Sequence, residues 1–101
     1  MKNENDYFQV LRKVYSNPKL SQRKLADDLE ISLGKVNYCL KELKKKGLIK
    51  IDNFKKNPKK TGYLYILTPK GIAAKTKLTL KFIKRKSIEF EELKNELSKK
   101  N

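Results

Sequence analysis

Gly34, Lys35, Asn37, Tyr38 and Lys41 crowd into one short stretch of the chain, and together they offer hydrogen bonding and charge rather than bond-breaking chemistry. The Asn37 amide can pair bidentately with an adenine edge, and Lys35 and Lys41 can reach guanine acceptors or phosphates. Tyr38 can touch a thymine methyl or a phosphate, and Gly34 lets the backbone come close. A second group, Lys55, Lys56, Lys59 and Lys60, brackets Pro58 and suits phosphates of any sequence. The whole chain carries 26 Lys/Arg against 11 Asp/Glu, a net charge of +15 that fits a polyanionic partner. Catalytic chemistry is poorly served. There is no histidine, so a His-based triad is impossible, and the single Cys39 provides neither an intrachain disulfide nor a thiolate metal cluster. Asp27 and Asp28 are adjacent, point to different helix faces and are followed by no third ligand. No glycine-rich phosphate loop or nucleophile elbow occurs. The sequence therefore predicts a binding protein, not an enzyme, with no metal and no cofactor.

The elements that must position these residues are legible from apolar spacing. Tyr7, Val10, Leu11 and Val14 recur at helical intervals until Ser16-Asn17-Pro18 stops them. Ser21 is placed to cap a second helix that turns Leu25, Ala26 and Leu29 inward. Ser32 caps a third that turns Val36, Leu40 and Leu43 inward, and Gly47 ends it. Cys39 also faces that core, which favours an inert thiol over a redox switch. The period then changes to two, with Ile49 and Ile51 on one side of the basic loop and Tyr63, Tyr65 and Leu67 on the other, predicting two strands. Thr68-Pro69 starts a last helix reaching about Ser98. The expected fold is mainly α with a small β-hairpin: a winged helix-turn-helix of three helices and a two-stranded wing, plus a long C-terminal helix. Residues 1–68 form the DNA-binding domain and 69–101 the dimerisation helix. Ala26 supplies the small residue that the crossing of the second and third helices needs. Glu30 is the departure, since the turn between them tends toward positive φ. There a non-Gly residue costs roughly 1–2 kcal/mol unless the turn adopts another geometry.

With Val36, Leu40 and Leu43 inside, the Gly34, Lys35, Asn37, Tyr38 and Lys41 group falls on the outer face and is assigned to base reading in the major groove. Ser21, Arg23, Lys24 and Ser32 are candidates for the DNA backbone, and Lys55, Lys56, Lys59 and Lys60 for a wing along the phosphates or the minor groove. Lys44, Lys45 and Lys46 serve the negative end of the third helix equally well and receive no base contacts.

The runs Leu20-Ser21-Gln22-Arg23-Lys24-Leu25-Ala26, Ile31 to Leu40, Lys46-Gly47-Leu48-Ile49-Lys50 and Tyr65 to Ile72 resemble MarR-type winged-helix regulators. In particular, "ISLGKVNYCL" with "LTPKGI" resembles a short subgroup found with exopolysaccharide biosynthesis clusters, over about residues 7–97. The resemblance implies a bacterial transcriptional regulator. Full-length MarR proteins add helices that build a dimer body and often a pocket for phenolic ligands. This sequence offers only its first helix and the long last one, so an effector is left unknown.

Ile72, Thr76, Thr79, Ile83, Phe90, Leu93 and Leu97 follow alternating three-four spacing along the last helix, broken at Lys86, which predicts a homodimer seam, antiparallel or crossing. Leu78, Leu80 and Phe82 form a second face expected to pack on the same chain. The competing expectation is that the helix folds back on the first helix within one monomer. No apolar run is long enough for a membrane span or a signal peptide, so the expected location is cytoplasmic. Double-stranded DNA is the expected partner, read as a palindrome by two copies, and repression the expected outcome. A structural module binding RNA or protein is the alternative, with Tyr63 and Tyr65 as stacking candidates.

Overall fold

The computed structural model describes residues 4–53 and 63–99, in the order α1 (Glu4–Ser16), α2 (Gln22–Leu29), α3 (Leu33–Lys45), β1 (Ile49–Asn53), β2 (Tyr63–Leu67) and α4 (Pro69–Lys99). α2 and α3 start where their sequences cap them. The Ser21 hydroxyl accepts from the Lys24 backbone N–H and the Ser32 hydroxyl from that of Lys35, both at 3.1 Å. The apolar faces of these helices converge on one core of Val10, Leu11 and Val14 from α1, Leu25 and Ala26 from α2, and Val36, Cys39, Leu40 and Leu43 from α3. Ile49, Tyr65 and Leu67 close it from the sheet.

α2 and α3 end alike despite different residues. After α3, Leu48 N–H bonds the Leu43 carbonyl and Gly47 N–H that of Lys44, with Gly47 at φ +75°. After α2, Ile31 N–H bonds the Ala26 carbonyl and Glu30 N–H that of Asp27, with Glu30 at φ 56° and ψ 42°. Both are Schellman endings that need a left-handed residue. Of the two outcomes open for Glu30, the turn keeps its geometry and Glu30 bears the cost, roughly 1–2 kcal/mol.

β1 and β2 pair antiparallel with Ile49 opposite Leu67 and Ile51 opposite Tyr65, so the alternating apolar residues share the inner face. The Tyr65 N–H also donates to the Pro18 carbonyl at 3.1 Å, tying the hairpin to the α1–α2 connection. Leu64 and Ile66 are half-buried.

The start of α4 is fixed at a junction with the end of α3. The Thr68 hydroxyl donates to the Gly47 carbonyl at 2.6 Å and accepts from the Gly71 N–H at 3.0 Å, while Thr68 N–H donates to the Leu48 carbonyl. Gly71 lies so close to Leu48 that a Cβ would stand 1.9 Å from its carbonyl oxygen. The Thr-Pro-Lys-Gly run is thus a cap, a first-turn proline and a residue that cannot carry a side chain.

α4 is 31 residues long, about 46 Å at 1.5 Å per residue, and it meets the other described elements along its first part, as far as Arg85. Leu78 packs on the core, and Phe82 stacks on Phe8 of α1 with ring centroids 4.8 Å apart. The Lys81 ammonium lies 2.9 Å from the Glu4 carboxylate, with Arg85 at 4.0 Å, and this pairing holds the Glu4 carboxyl below its ordinary pKa. Leu80, expected on the same face, instead points to solvent at 64% exposure, because at helical spacing it falls well round the helix from Leu78 and Phe82. None of the helices described is long and apolar enough to cross a membrane.

Candidate nucleic-acid interface

α3 divides into three faces. Its inner face, Val36, Cys39, Leu40 and Leu43, is buried. Gly34, Tyr38 and Lys41 lie on the opposite, exposed face, with Tyr38 at 51% exposure. Lys35 and Asn37 occupy the two flanks between them, and each is held by a neighbouring element.

On one flank the Lys35 ammonium sits 2.8 Å from the Asp6 carboxylate of α1, which raises the lysine pKa. On the other, the Asn37 amide nitrogen donates to the Gln22 side-chain oxygen at 3.2 Å. The Gln22 amide nitrogen in turn donates to the Tyr65 hydroxyl, also at 3.2 Å. Asn37 and Gln22 are half-buried and Tyr65 is buried. α2, α3 and β2 are thereby joined by one polar chain, and two residues absent from the sequence-derived site enter the site on either flank: Gln22 beside Asn37 and Asp6 beside Lys35. Gln22 is the first residue of α2, and no local spacing marks it; only the fold brings it to Asn37.

The exposed face is otherwise open. A Cβ at Gly34 would meet nothing within 4 Å, so the chain's own packing does not require glycine there. Burial, with a hydrogen bond to Tyr38 added to it, pushes the Tyr7 hydroxyl of α1 up to about 12. Arg23 and Lys24 are exposed at the start of α2, and the Lys24 ammonium leans 3.2 Å from Asp28. Ser21 and Ser32 spend their oxygens on capping, leaving each hydroxyl hydrogen able to donate. Lys46 lies over the Tyr7 ring at 5.3 Å. Cys39 is fully buried, and burial pushes its thiol up, away from the reactive thiolate. Lys55, Lys56, Lys59 and Lys60 lie outside the described residues. Tyr65, one of the two stacking candidates for RNA, faces the core at 3% exposure and offers no platform. Among the described residues no group of His, Cys, Asp and Glu is arranged to hold a metal ion.

The arrangement of α2, α3 and hairpin is a winged helix-turn-helix, and residues 8–50 match the family described as winged helix-turn-helix DNA-binding. Comparison with curated protein sequences gives no match. Among solved structures the neighbours include MarR regulators. A MarR/EmrR family transcriptional regulator from Acinetobacter sp. ADP1 superposes with TM-score 0.73 at 21% identity, covering 86% of this chain and 60% of that one. A variant of Lactococcus lactis ZitR in apo form gives 0.71 at 24% identity, covering 94% and 70%. A variant of E. coli MarR complexed with operator DNA gives 0.59 at 27% identity, covering 71% and 50%. The chain thus spans 60% and 50% of the length of the Acinetobacter and E. coli chains. These likenesses establish the fold: a winged helix-turn-helix with a long C-terminal helix, as in MarR-like structures.

Proposed function

We propose that the chain is a sequence-specific regulator of transcription that binds double-stranded DNA through α3 as a homodimer on a palindromic operator. The observation that carries this reading is the exposed outer face of α3, with Gly34, Tyr38 and Lys41 uncovered and Lys35 and Asn37 at its edges. A helix presented this way fits the major groove, and the E. coli neighbour of the same fold is itself complexed with operator DNA. Ser21, Arg23, Lys24 and Ser32 would anchor phosphates beside it, and Lys55, Lys56, Lys59 and Lys60 would flank it as the wing. The +15 net charge supplies the attraction to the polyanion.

The dimer reading rests on α4. Ile72, Ile83, Phe90, Leu93 and Leu97 are 45–67% exposed, although at helical spacing they form one stripe with Thr76 and half-buried Thr79. α4 also packs on its own chain through a different face, with Gly71 against Leu48, Leu78 on the core and Phe82 on Phe8 of α1, and those contacts leave the stripe exposed. A second copy running antiparallel would cover it and bring the acidic residues Glu89, Glu91, Glu92 and Glu96 of one helix beside the acid-free first half of the other. Two recognition helices on one dimer then read two half-sites.

Repression is the proposed outcome, because no acidic or aromatic activating surface stands out. Exopolysaccharide biosynthesis genes are the proposed targets, on the resemblance of the 31–40 and 67–72 segments alone. Placement is cytoplasmic, where such DNA lies. The test is selection of genomic fragments by the purified protein at two salt concentrations, followed by footprinting. A palindromic footprint upstream of a gene, abolished in a Lys35→Ala/Asn37→Ala variant, supports the reading. Equal binding of all fragments, lost together at the higher salt, contradicts it and favours a nonspecific or RNA-binding module.

A further inference from the structure

We infer that Gln22 is a positioning residue for base recognition, orienting the Asn37 amide from a fixed point at the Tyr65 hydroxyl; this rests on the proposed reading of DNA by α3. An asparagine at the edge of a recognition helix can turn its amide over, and the two orientations present opposite patterns of donor and acceptor to a base. The hydrogen-bond chain restricts that freedom: reversing Asn37 requires Gln22 to reverse with it and the Tyr65 hydroxyl to change from acceptor to donor. One Asn37 Nδ2 hydrogen is committed to Gln22 Oε1, and Gln22 Nε2 is committed to Tyr65 Oη. Tyr65 cannot move to follow, since it is buried, paired with Ile51 across the sheet and tied through its N–H to Pro18. Asn37 keeps its second Nδ2 hydrogen and its Oδ1, a donor and an acceptor side by side. That pair matches the N7 acceptor and N6 donor of adenine and mismatches guanine, which shows two acceptors there.

The consequence is that adenine preference at one operator position depends on two residues that need not touch the base. It is tested by selecting sites from randomised duplexes with wild type, Asn37→Ala, Gln22→Ala, Gln22→Glu and Tyr65→Phe, each checked for an unchanged fold by circular dichroism. Asn37→Ala should lower the preference for adenine at one position about tenfold or more. Gln22→Ala and Tyr65→Phe should lower it at the same position by about threefold to tenfold, with little further loss when combined with Asn37→Ala. Gln22→Glu separates positioning from affinity. Its carboxylate still accepts from Asn37 and can accept from the Tyr65 hydroxyl, so adenine preference should persist while affinity for all sequences falls through repulsion of the phosphates. If Gln22→Ala weakens every sequence equally while Asn37→Ala erases the adenine preference, the positioning role is overturned and DNA reading by α3 stands. If Asn37→Ala changes no base preference, the assignment of Asn37 to base reading fails, and the role of Gln22 with it.

Discussion

Gly34 and Gly71 show how one residue type answers to different neighbours. At Gly71 a Cβ has no room, whereas at Gly34 nothing in the chain would meet it, and α3 would gain from a better helix former there. If the DNA backbone approaches Gly34, stability and binding must respond in opposite directions. Gly34→Ala should raise the unfolding free energy by about 0.5–1 kcal/mol in urea titration, and it should weaken operator binding in a fluorescence titration. Tyr7 makes a prediction of the same scale about pH. Its hydroxyl titrates at about 12 in the fold against 10 ordinarily, so between these values the native state holds a proton the unfolded chain has lost. Its contribution is complete below pH 10 and declines as pH rises toward 12. Thermal melts across that window should show the loss in wild type and a smaller loss in Tyr7→Phe.

At the scale of elements, the helices and strands were readable because their apolar residues keep one period and their ends carry unambiguous caps. Ser21, Ser32, Gly47 and Thr68 each do in the structure what their types suggest. The turn at Glu30 was readable as a position but not as an outcome, since side-chain type alone does not say whether a strained conformation is accepted or avoided. Lys35 and Asn37 were legible as surface residues of α3. Their restraint by Asp6 and by Gln22 was not, because those contacts join residues far apart in the chain whose proximity the packing of α1 and α2 decides. Leu80 was misplaced for a simpler reason: on a helix packed only along one side, every apolar residue cannot find a neighbour. The α3–α4 junction yields a prediction for this scale. Gly71→Ala forces a methyl against the Leu48 carbonyl in a close-packed junction and should cost about 3 kcal/mol. It should lower the melting temperature and accelerate hydrogen exchange at the start of α4.

For the whole molecule, the shape itself poses the question of association. The chain extends 64 Å along its longest axis and 26 Å across, because the second half of α4 stands clear of the other described elements. An exposed helix with an apolar stripe is poorly stabilised alone and gains most from a second copy. Leu93→Glu/Leu97→Glu should convert a dimer to a monomer in sedimentation velocity at micromolar concentration. The hairpin and α1–α3 should melt within about 0.5 kcal/mol of their original stability, as the two residues are 63% and 67% exposed. Operator binding should weaken with the loss of one half-site.

Whether α3 reads sequence or is only a basic surface is decided by the ratio of affinities for the selected operator and a scrambled duplex as salt is raised. Both affinities should fall while the ratio stays at roughly a thousandfold or more, and Asn37→Ala/Lys41→Ala should collapse it. A ratio near one at every salt concentration, unaffected by those substitutions, would contradict sequence reading by α3.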